Sequence, residues 1–204
     1  KAAKENPVKL VFLCSPGNPT SKSIPLSDIE SIAQQLTDRA IVVVDEAYVD
    51  FCDTSAISLV GKYPNVCVLQ TLSKAFGMAA IRCGFCFGAP DVIQLLNNVK
   101  APYNINTLTS QTALKAMEHL DTLDANIQTI LKERERVSQA LKSLDFVEHV
   151  YPSHANFILF RVKQAELLYK TMADKGVVTR FRGRELHCGN CLRVTIGTAV
   201  ENDT

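Results

Sequence analysis

A lysine stands in an apolar setting within the segment TLSKAFGMAAIR, residues 71–82. Two hydroxyl residues, Thr71 and Ser73, come just before Lys74, and Arg82 follows it by eight positions. A lysine in apolar, crowded surroundings is hard to keep protonated, because loss of hydration disfavours its charged form. A neutral amine attacks a carbonyl carbon, so it can form a Schiff base. We therefore expect carbonyl chemistry at Lys74 rather than a solvated surface charge.

Three short apolar runs must position this lysine. Leu10–Cys14, Ile41–Val44 and Val66–Leu69 are continuous and apolar, and they predict buried strands separated by helical patterns. Strands that alternate with helices are typical of βαβ units, in which a parallel sheet is covered on both faces. Cys83–Phe87 predicts a fourth strand, and the segment GAPD after it predicts a turn and a helix start.

Polar residues follow each of the first three predicted strands. In an open parallel sheet, ligands bind beside the carboxyl ends of the strands. Pyridoxal phosphate needs a reactive amine, an acid beside its ring nitrogen, donors to its phenolic oxygen, and hydroxyls with a cation for its phosphate. Lys74 supplies the amine and Asp45 the acid. The remaining needs match, in the same order, Asn18 and Tyr48 for the oxygen and Thr71, Ser73 and Arg82 for the phosphate.

The second half of the chain predicts a smaller α+β domain. A helical pattern runs from Thr107 to about Leu144, and Gly176 stands where a C-cap glycine ends a helix. We predict two domains, residues 1–122 and 123–204, and a helix start in the last four residues. The other predicted elements are a helix at Gln164–Lys175 and strands at Phe146–Val150, Asn156–Val162, Val177–Arg180 and Leu192–Ile196.

The composition of the 204 residues excludes several classes of protein. With 47% hydrophobic and 21% charged residues it is ordinary for a globular protein. A net charge of +1 predicts neither nucleic acid nor membrane as a partner, and no apolar run approaches the ~20 residues of a membrane span. No signal peptide is evident, and seven scattered cysteines favour a reducing compartment, so we expect a cytoplasmic protein.

Two alternatives come from other classes. Cys83 and Cys86, like Cys188 and Cys191, have the spacing of metal-ligand pairs, but about 100 residues separate the pairs, against the ~15–20 of a compact zinc site. We therefore expect no metal. A chain that keeps the fold without the activity is the second alternative, and the retained lysine and aspartate argue against it.

Three segments resemble one family. SPGNPT, VVVDEAY and TLSKAFGMAAIRCGF are similar to those of the fold-type I pyridoxal-phosphate-dependent aminotransferases, and the likeness covers nearly the whole chain. DEAYVDF and GNCLRVTIGT resemble the histidinol-phosphate branch in particular. The resemblance implies an α/β fold: a three-layer αβα large domain with a mostly parallel sheet, and a smaller α+β C-terminal domain. It also implies a homodimer, and a fragment that lacks the family's N-terminal part and last helix and is inactive alone.

The resemblance assigns roles residue by residue. Lys74 binds the cofactor covalently and later carries a proton, while Arg193 grips the acidic end of the substrate and Arg180 a substrate phosphate. Arg182 and Arg184 are competitors for the role of Arg180. The other residues take the cofactor contacts already described: Asp45 at the pyridine nitrogen, Asn18 and Tyr48 at the ring oxygen, and Thr71, Ser73 and Arg82 at the phosphate.

The implied reaction interconverts L-histidinol phosphate and 2-oxoglutarate with imidazole acetol phosphate and L-glutamate, in histidine biosynthesis. The amino donor and the 2-oxo acid are the expected small-molecule partners. A related enzyme of the same fold, such as a threonine-phosphate decarboxylase or an aminotransferase of broad specificity, is the alternative within the class.

Overall fold

A computed structural model describes residues 8–204 of the chain. It divides into two compact units: one holds the described residues up to Pro16 together with Ser23–Leu123, and the other holds Gly17–Lys22 and Asp124–Thr204. The predicted division into residues 1–122 and 123–204 stays a prediction. No helix within residues 8–204 combines the length and apolar composition that crossing a bilayer requires.

The first unit is built on a four-stranded sheet in the order β1-β2-β3-β4. The first three strands are parallel and the fourth is antiparallel, as expected for a mostly parallel α/β sheet. The strands are β1 (Leu10–Cys14), β2 (Ile41–Asp45), β3 (Val66–Thr71) and β4 (Gly84–Phe87). The helices are α1 (Leu26–Gln35), α2 (Ile57–Val60), α3 (Pro90–Val99), α4 (Thr107–Met117) and α5 (Leu120–Lys142), the last of which continues into the second unit.

The core of this unit forms on one face of its sheet. Ile29 and Ala33 of α1 recur at the spacing of one helical face, and both pack on the sheet. The strand residues in this core alternate along β2 and β3, because successive side chains point to opposite faces. These strand residues are Val42, Val44, Val66 and Val68.

The prediction that β1 is buried on both faces is wrong for the described chain. Leu10 is 56% exposed and Phe12 is 64% exposed. The intervening residues, Val11 and Leu13, are packed against the core that α1 and α2 cover. The continuous apolar run therefore predicted the strand correctly, but it wrongly predicted that both faces of the strand are buried.

The second unit is an antiparallel sheet in the order β5-β6-β8-β7. Its core packs apolar residues of β6 and β8, such as Phe160 and Leu192, against Ile130 and Val137 of α5 and Leu168 of α6. The elements are β5 (Val147–Val150), β6 (Phe157–Val162), α6 (Ala165–Asp174), β7 (Arg180–Phe181), β8 (Cys191–Thr195) and α7 (Ala199–Asn202). The predicted α/β class with a smaller α+β part is confirmed.

A Schellman motif ends α6 as the predicted C-cap glycine requires. Gly176 has a φ of +88°, its N–H donates to Ala173, and the N–H of Val177 donates to the carbonyl of Met172. The strand predicted at Val177–Arg180 is wrong for its first three residues. The N–H of Val177 belongs to the helix-ending motif, and β7 begins only at Arg180. The last helix also begins earlier than predicted, after a capping box at Thr198.

Candidate active site

The carboxyl ends of β2 and β3 carry the predicted acid and the predicted hydroxyls. Asp45 is the last residue of β2 and pairs in register with Leu69, while β3 continues two residues further to Thr71. Because the two strands are parallel and adjacent, Asp45 and Thr71 lie at the same edge of one sheet. The antiparallel β4 begins at this edge with Gly84, which pairs with Thr71, so Arg82 also approaches it.

Lys74 sits in a tight turn that leaves β3. Leu72, only 1% exposed, anchors the turn in the core, and its carbonyl accepts from Met78 at 3.0 Å. The N–H of Gly77 donates to the carbonyl of Lys74 at 2.9 Å, and the φ of Gly77, +68°, is one that glycine adopts without strain. The turn therefore buries the Leu72 side chain and leaves the Lys74 side chain half-exposed at the sheet edge.

The amine of Lys74 faces an aromatic ring. Its Nζ lies 5.2 Å from the centre of the Tyr48 ring, a cation–π distance. Tyr48 is only 8% exposed and begins the short 3₁₀ turn Val49–Phe51, so its ring has a fixed position. Among residues 8–204, Lys74 Nζ has neither a hydrogen-bond acceptor nor a carboxylate partner. An amine placed in this way is available to react.

The other groups at this edge are polar and only partly used. Asp45 Oδ1 accepts from the N–H of Ala47 at 3.1 Å. The hydroxyls of Thr71 and Ser73 are 2.9 Å apart, and the N–H of Ser73 donates to Thr71 Oγ1 at 3.1 Å. Arg82 is exposed, and its Nη1 donates to the carbonyl of Ala79 at 2.9 Å. Six predicted residues thus gather at one edge of the first unit's sheet.

Three predicted residues belong to the second unit. Arg193 on β8 donates from Nη1 to Asn18 Oδ1 at 2.7 Å, and its guanidinium lies 4.8 Å from the centre of the Phe157 ring. The sequence grouped Asn18 with the ring-oxygen donors, whereas the structure pairs it with the arginine assigned to the substrate.

Arg180 lies directly opposite Arg193 in the β7–β8 register. Arg180 is exposed, and its side chain has no hydrogen-bond or ion-pair partner in the described part of the chain. Arg182 instead pairs with Glu185 at 2.7 Å, which neutralises its charge. Arg180 and Arg193, by contrast, are like charges placed directly opposite on a sheet, and they repel each other. An anion that binds between them relieves this repulsion, so the pair of arginines favours anion binding. Of the competing arginines, Arg180 is therefore better suited than Arg182 to a phosphate.

One buried carboxylate near the site is missing from the sequence prediction. Glu46 is 2% exposed and accepts three hydrogen bonds. The signal that could have found it is strand alternation: if Asp45 faces one side, the next residue faces the other, where an acid needs donors. Partial burial raises the pKa of Asp50, four residues later, and the charge of Glu46 raises it further.

Two thiols of this sheet have raised pKa values. Burial raises the pKa of Cys67 to about 11, and burial also raises the pKa of Cys86, its neighbour across β3 and β4. In the second unit burial raises the pKa of Cys188. Within residues 8–204 no three histidine, cysteine or acidic side chains gather in a cluster that could hold a metal ion. The described residues thus offer no support for the zinc alternative.

The donor set at the first unit's edge fits pyridoxal phosphate. An amine without an acceptor, a carboxylate with free lone pairs, adjacent hydroxyls and a guanidinium are the groups that an aldehyde, a ring nitrogen and a phosphate require. The residues of this edge are therefore chemically suited to that cofactor.

A family model described as aminotransferase class I and II matches residues 1–204. The chain is 43% identical over 203 residues to the histidinol-phosphate aminotransferase of Flavobacterium johnsoniae, covering 99% of this chain and 57% of that protein. It is 46% identical over 205 residues to the enzyme of that name from Saccharomyces cerevisiae, covering 96% of this chain and 53% of the relative. The chain therefore spans just over half the length of these relatives.

Solved structures share the fold. A histidinol-phosphate aminotransferase from Clostridium acetobutylicum superposes with a TM-score of 0.92 at 22% identity, covering 99% of this chain and 63% of that one. A histidinol-phosphate aminotransferase from Sinorhizobium meliloti in complex with pyridoxal-5'-phosphate superposes with a TM-score of 0.86 at 24% identity, covering 99% of this chain and 56% of that one. At these identities the likeness concerns the fold alone.

Proposed function

Because this chain belongs to the aminotransferase class I and II family, we propose that the protein containing it is a pyridoxal-phosphate-dependent transaminase. Its substrates are L-histidinol phosphate and 2-oxoglutarate, and its products are imidazole acetol phosphate and L-glutamate. The observation that carries this proposal is the free amine of Lys74 beside the Tyr48 ring, at the strand edge that also holds Asp45. The names of relatives at 43–46% identity support the choice of substrate.

The cofactor, when bound, supplies an electron-withdrawing ring that stabilises negative charge at the substrate's α-carbon. Lys74 would hold its aldehyde carbon. Afterwards Lys74 Nζ takes the proton from the α-carbon and returns it within the same site, as a general base and then a general acid. Asp45 keeps a proton on the ring nitrogen, because a carboxylate favours the charged form of a base beside it.

The remaining residues of the first unit bind and orient. Tyr48 donates to the ring oxygen, and its buried ring limits the positions open to the Lys74 amine. Thr71, Ser73 and Arg82 donate to the cofactor phosphate, which needs several charge-assisted hydrogen bonds.

The second unit supplies charge for the substrate. Arg193, oriented by Asn18 and Phe157, binds one acidic end, and Arg180 binds the phosphate. Histidinol phosphate carries one acidic group, its phosphate, whereas 2-oxoglutarate carries a carboxylate at each end, so two guanidinium groups opposite each other on a sheet suit both substrates in turn. The amide of Asn18 acts through Arg193, which donates to its Oδ1, and the assignment of Asn18 to the ring oxygen stays a prediction.

Substrate tests on the full-length protein separate the candidates. With added pyridoxal phosphate, glutamate formation from 2-oxoglutarate should require L-histidinol phosphate. The dephosphorylated donor should lower kcat/KM by about 10²-fold, because the charge-assisted hydrogen bonds to the phosphate are then lost. Release of carbon dioxide from O-phosphothreonine without any 2-oxo acid would instead identify the decarboxylase. Equal rates with many amino acids would identify an aminotransferase of broad specificity.

We also propose a cytoplasmic homodimer without nucleic-acid or membrane partners. Seven unpaired cysteines support a reducing compartment, and the net charge of +1 supports the absence of polyanionic partners. Large apolar side chains exposed near α3 and α4, such as Val99, Tyr103 and Leu108, support a protein interface there. Light scattering of the full-length protein tests the dimer, since a monomer mass at micromolar concentration contradicts it.

A further inference from the structure

Glu46 is the one acid of the DEAY segment without a part in the proposed chemistry. It follows Asp45, and its backbone N–H donates to the carbonyl of Leu69 at 2.8 Å, which continues the pairing of β2 with β3. Its side chain is 2% exposed. A charged carboxylate in such a place must be compensated by hydrogen bonds, because an unpaired buried charge is very costly.

Three donors from two other segments meet this carboxylate. Ser55 Oγ donates at 2.7 Å and the N–H of Ala56 at 2.5 Å, both from the loop that follows Tyr48. Gln70 Nε2 donates at 2.9 Å, from the residue just before Thr71 on β3. The Ala56 N–H can only donate, and the Ser55 hydroxyl and the Gln70 amide both present donors here, which matches a carboxylate, a group that only accepts.

These three hydrogen bonds connect the end of β2, the loop after Tyr48 and the end of β3. Each of these segments carries or adjoins a proposed cofactor residue. Glu46 itself follows Asp45 in the chain. Its hydrogen bond from Ser55 holds the loop after Tyr48, and its hydrogen bond from Gln70 holds β3 just before Thr71 and the turn of Lys74. A single side chain therefore sets how the acid, the phenol and the amine lie relative to one another.

We propose that Glu46 is a positioning residue that holds Asp45, Tyr48 and Lys74 in their working arrangement. This inference rests on the proposed transaminase function. Glu46 does not touch the reacting atoms: it acts through the strand end and the loop to which it is hydrogen-bonded. A displacement of about 1 Å at a reacting group reduces a rate by as much as about 10²-fold, so loss of this network reaches the chemistry.

The test uses the full-length protein with one single and one double variant at the Glu46–Gln70 hydrogen bond. Glu46→Gln removes the charge that strengthens all three hydrogen bonds, and it places an amide N–H₂ against the Ser55 hydroxyl and the Gln70 amide, which must reorient to accept from it. The double variant Glu46→Gln with Gln70→Glu reverses donor and acceptor and keeps the net charge unchanged. Glu133→Gln is the matched control, because it also neutralises a buried, hydrogen-bonded glutamate, but in the second unit.

Two sets of measurements, one on the apoprotein and one on the loaded protein, separate positioning from stability. In the apoprotein, deuterium exchange of segments 46–56 and 69–76 should become about tenfold faster in Glu46→Gln, as expected when a buried hydrogen bond is lost. In the loaded protein, kcat should fall about 10- to 100-fold with little change in KM, and the midpoint of the pH titration of the visible cofactor band should shift. The double variant should recover both readouts in large part, and Glu133→Gln should change neither.

Several results would overturn the inference. The inference fails if Glu46→Gln keeps the exchange rate, the kcat and the titration midpoint of the wild type. It also fails if Glu133→Gln changes these quantities as much as Glu46→Gln does, since equal changes would reflect general destabilisation. No recovery in the double variant would also count against it. If the wild-type protein neither binds pyridoxal phosphate nor transaminates, the proposed function fails, whereas the exchange measurement on the apoprotein still decides whether Glu46 orders both segments.

Discussion

Replacement of Lys74 by alanine separates chemistry from folding more sharply than any other single change. The side chain is half-exposed, and its one contact in the described chain is the Tyr48 ring at 5.2 Å. A cation–π contact at such a site contributes about 0.5–1 kcal/mol. We therefore expect the free energy of unfolding to fall by about 1 kcal/mol or less, and Tm by about 2–4 °C for a domain of this size.

The expected loss of activity is far larger. A positioned general base contributes about 10²–10⁴ in rate, and Lys74 also holds the cofactor, so Lys74→Ala should lower kcat by at least about 10³-fold. Each tenfold step is about 1.4 kcal/mol, so this loss is about 4 kcal/mol of barrier. Unfolding could mimic it only if the variant lost about 9 kcal/mol, since a domain begins with at least about 5 kcal/mol of stability.

The assay measures both quantities on one preparation of the full-length protein. Thermal unfolding gives Tm, and coupled glutamate formation gives kcat. Borohydride reduction followed by peptide mass analysis should find the cofactor on Lys74 in the wild type and no modified peptide in Lys74→Ala. Lys175→Ala, which removes an exposed lysine at the end of α6, is the matched control. A variant that keeps kcat within about tenfold of the wild type would refute the role of Lys74, since a general base alone is worth more.

Three further predictions concern the acid Asp45, the substrate arginine Arg180 and the ion pair between Glu133 and Arg136. Asp45→Asn should lower kcat by at least about 10²-fold while the protein still binds pyridoxal phosphate, because an amide cannot stabilise a protonated ring nitrogen; an unchanged kcat would contradict this role. Arg180→Ala should lower kcat/KM for histidinol phosphate about 10- to 100-fold and barely affect the dephosphorylated donor, whereas Arg184→Ala, at the competing arginine, should leave kcat/KM for both donors unchanged; equal losses for both donors in Arg180→Ala, or the larger loss in Arg184→Ala, would argue against a phosphate contact of Arg180. Hydrogen bonds from Arg136 hold the pKa of Glu133 below its usual value, so the stabilisation that Glu133 provides should be complete above about pH 4.3 and disappear as the pH falls through the lowered pKa. Denaturant titrations should then show wild type and Glu133→Gln converging in stability toward pH 3, and a constant difference would refute the assignment.

Local sequence patterns were sufficient for most of the elements. The apolar runs at β1, β2 and β3 lie within one or two residues of the strands observed, and the spacing of Ile29 and Ala33 gave the buried face of α1. Gly176 indicated the end of α6, because glycine adopts the positive φ of a helix C-cap without strain, and this preference does not depend on tertiary contacts. Strand ends in a parallel sheet meet at one edge, and this rule alone brought Asp45 and Thr71 together.

The three-dimensional arrangement decided which side chains pair. No local pattern indicated that Arg193 donates to Asn18, 175 residues away, or that Arg182 is neutralised by Glu185 while Arg180 has no such partner in the described chain. It also could not show that β1 has one exposed face or that Glu46 binds donors from two distant segments. Periodicity and backbone preference act over a few residues, whereas hydrogen bonds and burial depend on groups that only the folded chain brings together.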